Sequence, residues 1–212
     1  MKKSLILGLL GLAAAVAPCF GQGTVFLDNY FTGGPNINYG EAGVPANGQS
    51  GAAGVSGAGV NAAGWTMGLY YVVGTQVVPA DPNPKPIGDP SVFGGLTLGT
   101  GAGSTASIFA PPFSTAGEGF SSGFFAVPGT AIGGGTTITL EIVAYNGADY
   151  ASSTFRGHSA AFTMAVSSSS SPSPNPTGSA MPSFSVYAVP EPSVFALSGL
   201  GAAALMLIRR KK

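Results

Sequence analysis

The residues of this 212-residue chain that could do chemistry are few, and one pattern among them is sharp. Gly119-Phe120-Ser121-Ser122-Gly123 is a G-x-S-x-G, and Asp149 and His158 follow it. That is the chain order in which a nucleophile-elbow hydrolase sets its serine, acid and base. The elbow needs a helix directly after the serine, whereas Phe124-Phe125-Ala126-Val127-Pro128 reads as strand. In a chain this rich in Gly and Ser, about 0.6 such matches are expected by chance, so the pattern needs a confirming context. It lacks one, and no catalytic residue is assigned.

The other candidates are weaker. His158 is the sole histidine and, between Gly157 and Ser159, reads as a turn or rim residue. One histidine with scattered carboxylates makes no zinc site. Glu141 falls on the polar face of a strand and reads as solvated, without a second carboxylate at an evident glycosidase spacing. Asp81, Asn83 and Asp89 offer oxygens to Ca²⁺ but not in the EF-hand pattern. The Gly-rich stretch 94–103 lacks the lysine of a phosphate loop. No cofactor and no metal is expected.

The elements that must position these residues are strands. Trp65, Met67, Leu69 and Tyr71 alternate onto one face of the best strand in the chain, followed by Gly74-Thr75 as a two-residue turn into Gln76-Val77-Val78. In residues 136–145, Ile138, Leu140, Ile142 and Ala144 share one face, and Thr137, Thr139 and Glu141 share the other, which predicts one buried and one wet face. Further strands are expected at 23–30, 93–98, 104–110, 119–127 and 160–166, with a last one at 182–187. Residues 33–64 read as a long loop, and the proline-rich stretch 79–90 as an exposed one. No segment from 22 to 188 has helical periodicity. The fold class is mainly β, an antiparallel β-sandwich or jelly-roll-like domain.

Composition narrows the function classes. Charged residues make up only 8% of the chain, and six of its eight cations lie at the two ends. Between 22 and 189 there remain Lys85 and Arg156 against seven carboxylates, a net charge of −5. A weakly acidic domain has no electrostatic footprint for nucleic acid.

The ends read as addresses. Residues 1–21 form a signal peptide: Lys2-Lys3, an apolar segment at 5–17, then Pro18, with Cys19 and Gly21 at the small cleavage positions. This implies the Sec translocon and a signal peptidase as partners. Cleavage there removes Cys19, the only cysteine. At the other end, Val189-Pro190-Glu191-Pro192-Ser193 precedes an uncharged apolar run, 194–208, and Arg209-Arg210-Lys211-Lys212 stop it. As a helix the run spans roughly 22 Å, short against a hydrocarbon core of about 30 Å. The basic stop belongs on the cytoplasmic side.

That three-part tail resembles the PEP-CTERM sorting signal of exopolysaccharide-producing Gram-negative bacteria. The resemblance implies a transmembrane sorting helix and recognition by an exosortase, a membrane transpeptidase-like protease that removes the tail near Pro190-Glu191-Pro192. The opening Gln22-Gly23-Thr24-Val25 and the stretch from Thr139 through Phe162 also resemble a group of secreted proteins with this tail. The expected organisation is a signal peptide (1–21), a β domain (22–166), a Ser/Pro-rich linker with a possible last strand (167–188) and the sorting signal (189–212). The expected function is a non-catalytic structural or interaction role at the cell surface or in the extracellular matrix, after transient membrane anchoring. The alternative is a carbohydrate-binding or adhesive module that takes extracellular polysaccharide, with ice binding as a variant. It requires a surface strip of aromatics, in which Tyr30, Tyr39, Tyr70, Tyr150 or Tyr187 stand exposed together; a flat Thr array would support ice binding, but Thr136-Thr137-Ile138-Thr139 is one strand and not a repeat. A serine hydrolase is the remote third reading.

Overall fold

The computed structural model describes residues 22–29, 37–44, 56, 59–60, 64–109, 119–131, 134–168 and 177–190. Residues 1–21, expected to be a signal peptide, Tyr30, most of the Ser/Pro tract and everything from Glu191 on lie outside them. Among the described residues ten strands form: β1 (Thr24–Asp28), β2 (Ile37–Tyr39), β3 (Thr66–Val73), β4 (Thr97–Leu98), β5 (Thr105–Phe109), β6 (Gly119–Ala126), β7 (Thr137–Tyr145), β8 (Phe155–His158), β9 (Phe162–Ala165) and β10 (Phe184–Ala188). Among the described residues the only helical pieces are α1 (Pro90–Phe93) and a 3-10 turn at Thr177–Ser179. The protein is mainly β.

The strands follow one path, β1-β6-β5-β3-β7-β8-β10-β2, with β4 on β3 and β9 on β7. All pairings are antiparallel except β10 with β2, which is parallel. The spine is β3 against β7, in unbroken register from Thr66↔Tyr145 to Val73↔Ile138. The path also folds back on itself. Thr24 of β1 exchanges two 2.8 Å backbone hydrogen bonds with Ser167, just past β9.

Alternation does what the sequence predicts on one face. Trp65, Met67, Leu69 and Tyr71 pack with Ile138, Leu140, Ile142 and Ala144 in one core, joined by Val25, Leu27, Ile108, Phe125 and Val186. The second face is where expectation and structure part. β7 is buried on both faces from Ile138 to Tyr145. Its second face carries Val143 and Tyr145, which join Tyr70, Leu96 and Tyr150 in a smaller apolar cluster.

The cover over that face is the segment expected to be an exposed loop. Its tip, residues 82–84, is exposed, but Ile87 and Pro90 turn inward and are buried, as is Leu96 just beyond the segment. The chain reaches this position because the expected hairpin does not form. After Gly74 (φ 96°) it crosses the end of β7, where Gln76 N–H donates to Thr139 Oγ1 at 2.9 Å, and no strand follows at 76–78. The strand expected at 93–98 shrinks to β4, because Asp89 caps α1 by accepting from the Ser91 N–H and Pro90 fits its first turn.

Two further corrections concern the sheet edge. The stretch expected to be a long loop contributes β2 and the fully buried Val44 and Val60. Residues 155–158 form β8, a strand the sequence reading did not place. The last expected strand does form, as β10, between β8 and β2.

Candidate functional site

Where the 79–90 segment meets the second face of β7 and β8, three ionisable side chains come together. His158 ends β8 opposite Val143 of β7, and its backbone N–H donates to Pro86 O at 2.9 Å. Its Nε2 lies 2.9 Å from Asp81 Oδ2, and its Nδ1 lies 2.8 Å from the Ser159 carbonyl and 3.2 Å from Glu141 Oε2. All three side chains are at least nine-tenths buried. The sequence reading put His158 at a turn or rim and Glu141 in solvent. Both expectations are overturned by the same cause, the inward-folded cover.

The geometry assigns the protons. A backbone carbonyl only accepts, so Nδ1 carries hydrogen. Asp81 already accepts from the Asn83 N–H and Asn83 Nδ2 at 2.8 Å and from the Gly88 N–H at 2.7 Å, which holds it ionised, so Nε2 donates as well. Burial pushes the His158 pKa down, but the nearby Glu141 and Asp81 carboxylates and the Ser159 carbonyl outweigh it, and the net shift is upward. For Asp81 burial pushes the other way from its donors, and the donors win, so its pKa is lowered. The Ser159 carbonyl takes the shorter contact with Nδ1, and Glu141 Oε2 is held by charge without a well-aligned hydrogen bond of its own.

A cavity of about 330 Å³ opens above this cluster, lined by Val78, Pro79, Ala80, Asp81, Pro86, Glu141, His158, Ala160 and Ala161. None of these offers a hydroxyl, thiol or amine nucleophile. The neighbouring Ser159 is fully buried, and its Oγ accepts from the Ile142 N–H at 3.0 Å. Asp81 and Glu141 approach opposite nitrogens of one ring, so they do not converge on a shared point. Among the described residues no group of three His, Cys, Asp or Glu side chains is arranged to hold a metal ion.

The triad pattern is not assembled. Ser121 pairs with Asp28 inside β6, so the chain continues as strand where an elbow needs a helix, and β5, β3 and β7 stand between β6 and β8 in the sheet. Asp149 caps the exposed turn at Ser152, and His158 is committed to Asp81 and Glu141. The calcium candidates are occupied too. Asp81 closes its own loop, while Asp89 caps α1. Of the tyrosines that a carbohydrate strip requires, Tyr39, Tyr70 and Tyr150 are buried. Tyr187 is half-buried with Lys85 Nζ 5.2 Å from its ring centre.

A second locus lies where the sheet meets the C-terminal tail. β10 is held on both sides, by Val186↔Tyr39 toward β2 and by Tyr187↔Arg156 and Ala188↔Phe155 toward β8. At its end the Ala188 N–H donates to Glu41 Oε1 at 2.8 Å, and the Val189 N–H donates to Thr154 O at 2.8 Å. Lys85 Nζ bonds the other Glu41 oxygen. That bond, foremost, lowers the Glu41 pKa. Pro190 is the first exposed residue after the strand.

The protein-family model described as the PEP-CTERM protein-sorting motif matches residues 188–211. No curated protein and no solved structure matches the chain. The motif implies export, membrane-associated processing and recognition by an exosortase. Glu191, Pro192, Ser193, the 194–208 run and Arg209-Arg210-Lys211-Lys212 lie outside the described residues; within those described, no helix is long and apolar enough to cross a membrane. At its C-terminus this chain carries a PEP-CTERM protein-sorting motif, and the first residue of that motif is the last residue of β10.

Proposed function

We propose that the protein is exported, held briefly at the inner membrane by its tail, processed by an exosortase and released to the cell surface or extracellular matrix, where a sandwich-like β domain has a structural or interaction role without catalysis. The observation that carries this reading is the sorting motif itself, at residues 188–211. The non-catalytic part is supported by the commitment of His158 to two carboxylates in a cavity that offers no hydroxyl, thiol or amine nucleophile. Intact-mass measurement of the native protein tests the processing: a chain that starts at Gln22 and ends close to Pro190-Glu191-Pro192 is expected. A chain that still ends in Lys212, in a host with its own exosortase, overturns it.

A further inference from the structure

The sorting motif and the folded domain overlap. Ala188 and Val189 belong to the motif's end of the chain, and both have their backbone N–H groups bound into the domain. No flexible spacer separates sheet from signal. Four residues, 190–193, lie between Val189 and the apolar run, and a fully extended chain covers at most about 14 Å in four residues. Before processing, the rim of the domain that carries Glu41, Lys85 and Thr154 is therefore held against the membrane side of the processing machinery.

Glu41 has a particular place on this rim. In the parallel pairing, β2 supplies backbone partners to β10 as far as Gly40, whose N–H donates to Val186 O at 2.9 Å. There β2 ends, and the next partner that β10 needs, an acceptor for the Ala188 N–H, comes from the Glu41 side chain. A carboxylate acceptor makes a stronger bond than the carbonyl it replaces. Lys85 fixes its other oxygen while lying over the Tyr187 ring, so the same cation steadies both the clamp and the strand.

We infer that Glu41, oriented by Lys85, is a positioning residue for processing: it pins β10 to its final residue, so that the chain offered to the exosortase begins at Pro190 and the mature protein keeps all of β10. This rests on the processing proposed above. A protease must take its substrate as free extended chain. Residues up to Val189 are paired on both sides or hydrogen-bonded, whereas Pro190 is exposed and proline fixes its backbone without needing a donor partner.

The test is C-terminal mapping by intact mass, with pulse-chase conversion of precursor, in a host with its own exosortase. The wild-type chain is expected to give one C-terminus, at Pro190 or beyond. Glu41→Ala is expected to lose the single end and to give ragged ends that enter β10. Glu41→Gln keeps an acceptor for Ala188 and restores the single end. Lys85→Ala, on a half-exposed side chain outside the sheet, moves in the same direction as Glu41→Ala with the fold intact, as checked by Trp65 emission. A wild-type cut upstream of Pro190 overturns the inference. So do Glu41→Ala and Lys85→Ala chains with wild-type ends. A wild-type chain that retains Lys212 defeats the processing reading instead, and exchange of the Ala188 amide, which the clamp must protect and Glu41→Ala must release, then judges the clamp alone.

Discussion

Asp81 and His158 are 77 residues apart in the chain, and their side chains meet at 2.9 Å in the interior. This contact pins the 79–90 cover onto β8, and the backbone bond from His158 N–H to Pro86 O doubles it. Removing Asp81 leaves the buried Nε2–H of His158 without its acceptor, while Glu141 still stands 3.2 Å from Nδ1, a loss that costs about 1–3 kcal/mol. Asp81→Ala should fall in that range in urea denaturation, and should also raise hydrogen exchange at Gly88, whose N–H loses its acceptor.

The same pair sets a pH optimum. His158 has its folded pKa raised above the ordinary 6.5, so its contribution is complete below that value and disappears as pH climbs through the folded pKa. Asp81 has its folded pKa lowered from 3.8, so its contribution is complete above 3.8 and disappears as pH falls through the lower folded value. The groups that face the ring are Asp81, Glu141, the Ser159 carbonyl and the Phe93 ring. Melting temperatures recorded from pH 3 to 9 should therefore peak between about 4 and 6.5. His158→Gln should flatten the alkaline limb.

Trp65 is 1% exposed and meets Tyr39 edge-on at 6.5 Å between ring centres, which ties β2 to the start of β3. Trp65→Ala should cost about 3–5 kcal/mol in urea denaturation, because the cavity it leaves cannot collapse in a face packed from both sheet edges.

Arg156 joins two loops through its planar head. Nε donates to Ile87 O at 2.7 Å, Nη1 donates to Tyr150 O at 2.7 Å, and the guanidinium lies 5.0 Å from the Tyr150 ring centre. Lysine has neither the fork nor the flat face. Arg156→Lys should lose about 2 kcal/mol despite keeping the charge, with local exchange rising at 146–153 before global unfolding.

How much of this could be read in advance depends on where the burial comes from. The first core was legible because Trp65 to Tyr71 and Ile138 to Ala144 announce it by parity alone. The second was not, since Thr137, Thr139 and Glu141 made the other parity of β7 look wet. The contrary signal was Val143 and Tyr145, apolar on that same parity, which marks a strand covered on both faces. The cover could not be foreseen from a stretch dense in proline, because its burial depends on Asp81 and Ile87 meeting partners far off in the chain. β8 was hidden by Gly157, a poor strand former. Here glycine is required, because a Cβ would come within 2.1 Å of Ser185 O on β10. The sorting motif was legible, since its order of residue types is the signal; its overlap with β10 was not.

The parallel pairing of β2 with β10 bears on the order of events during secretion. β2 is threaded out early, and the strand that completes its side of the sheet is delivered about 145 residues later, immediately ahead of the apolar run. Contacts at such separation form late, because a long loop must close before they can form. Until β10 arrives, β2 and β8 both lack a neighbour, and their backbone groups are open to pairing with another chain. A chain truncated anywhere before residue 184 therefore cannot close its sheet, however well β3 and β7 have paired. On the route proposed above, completion of the fold and arrival of the tail at the membrane become one event, and only full-length chains then present a finished domain to the processing enzyme.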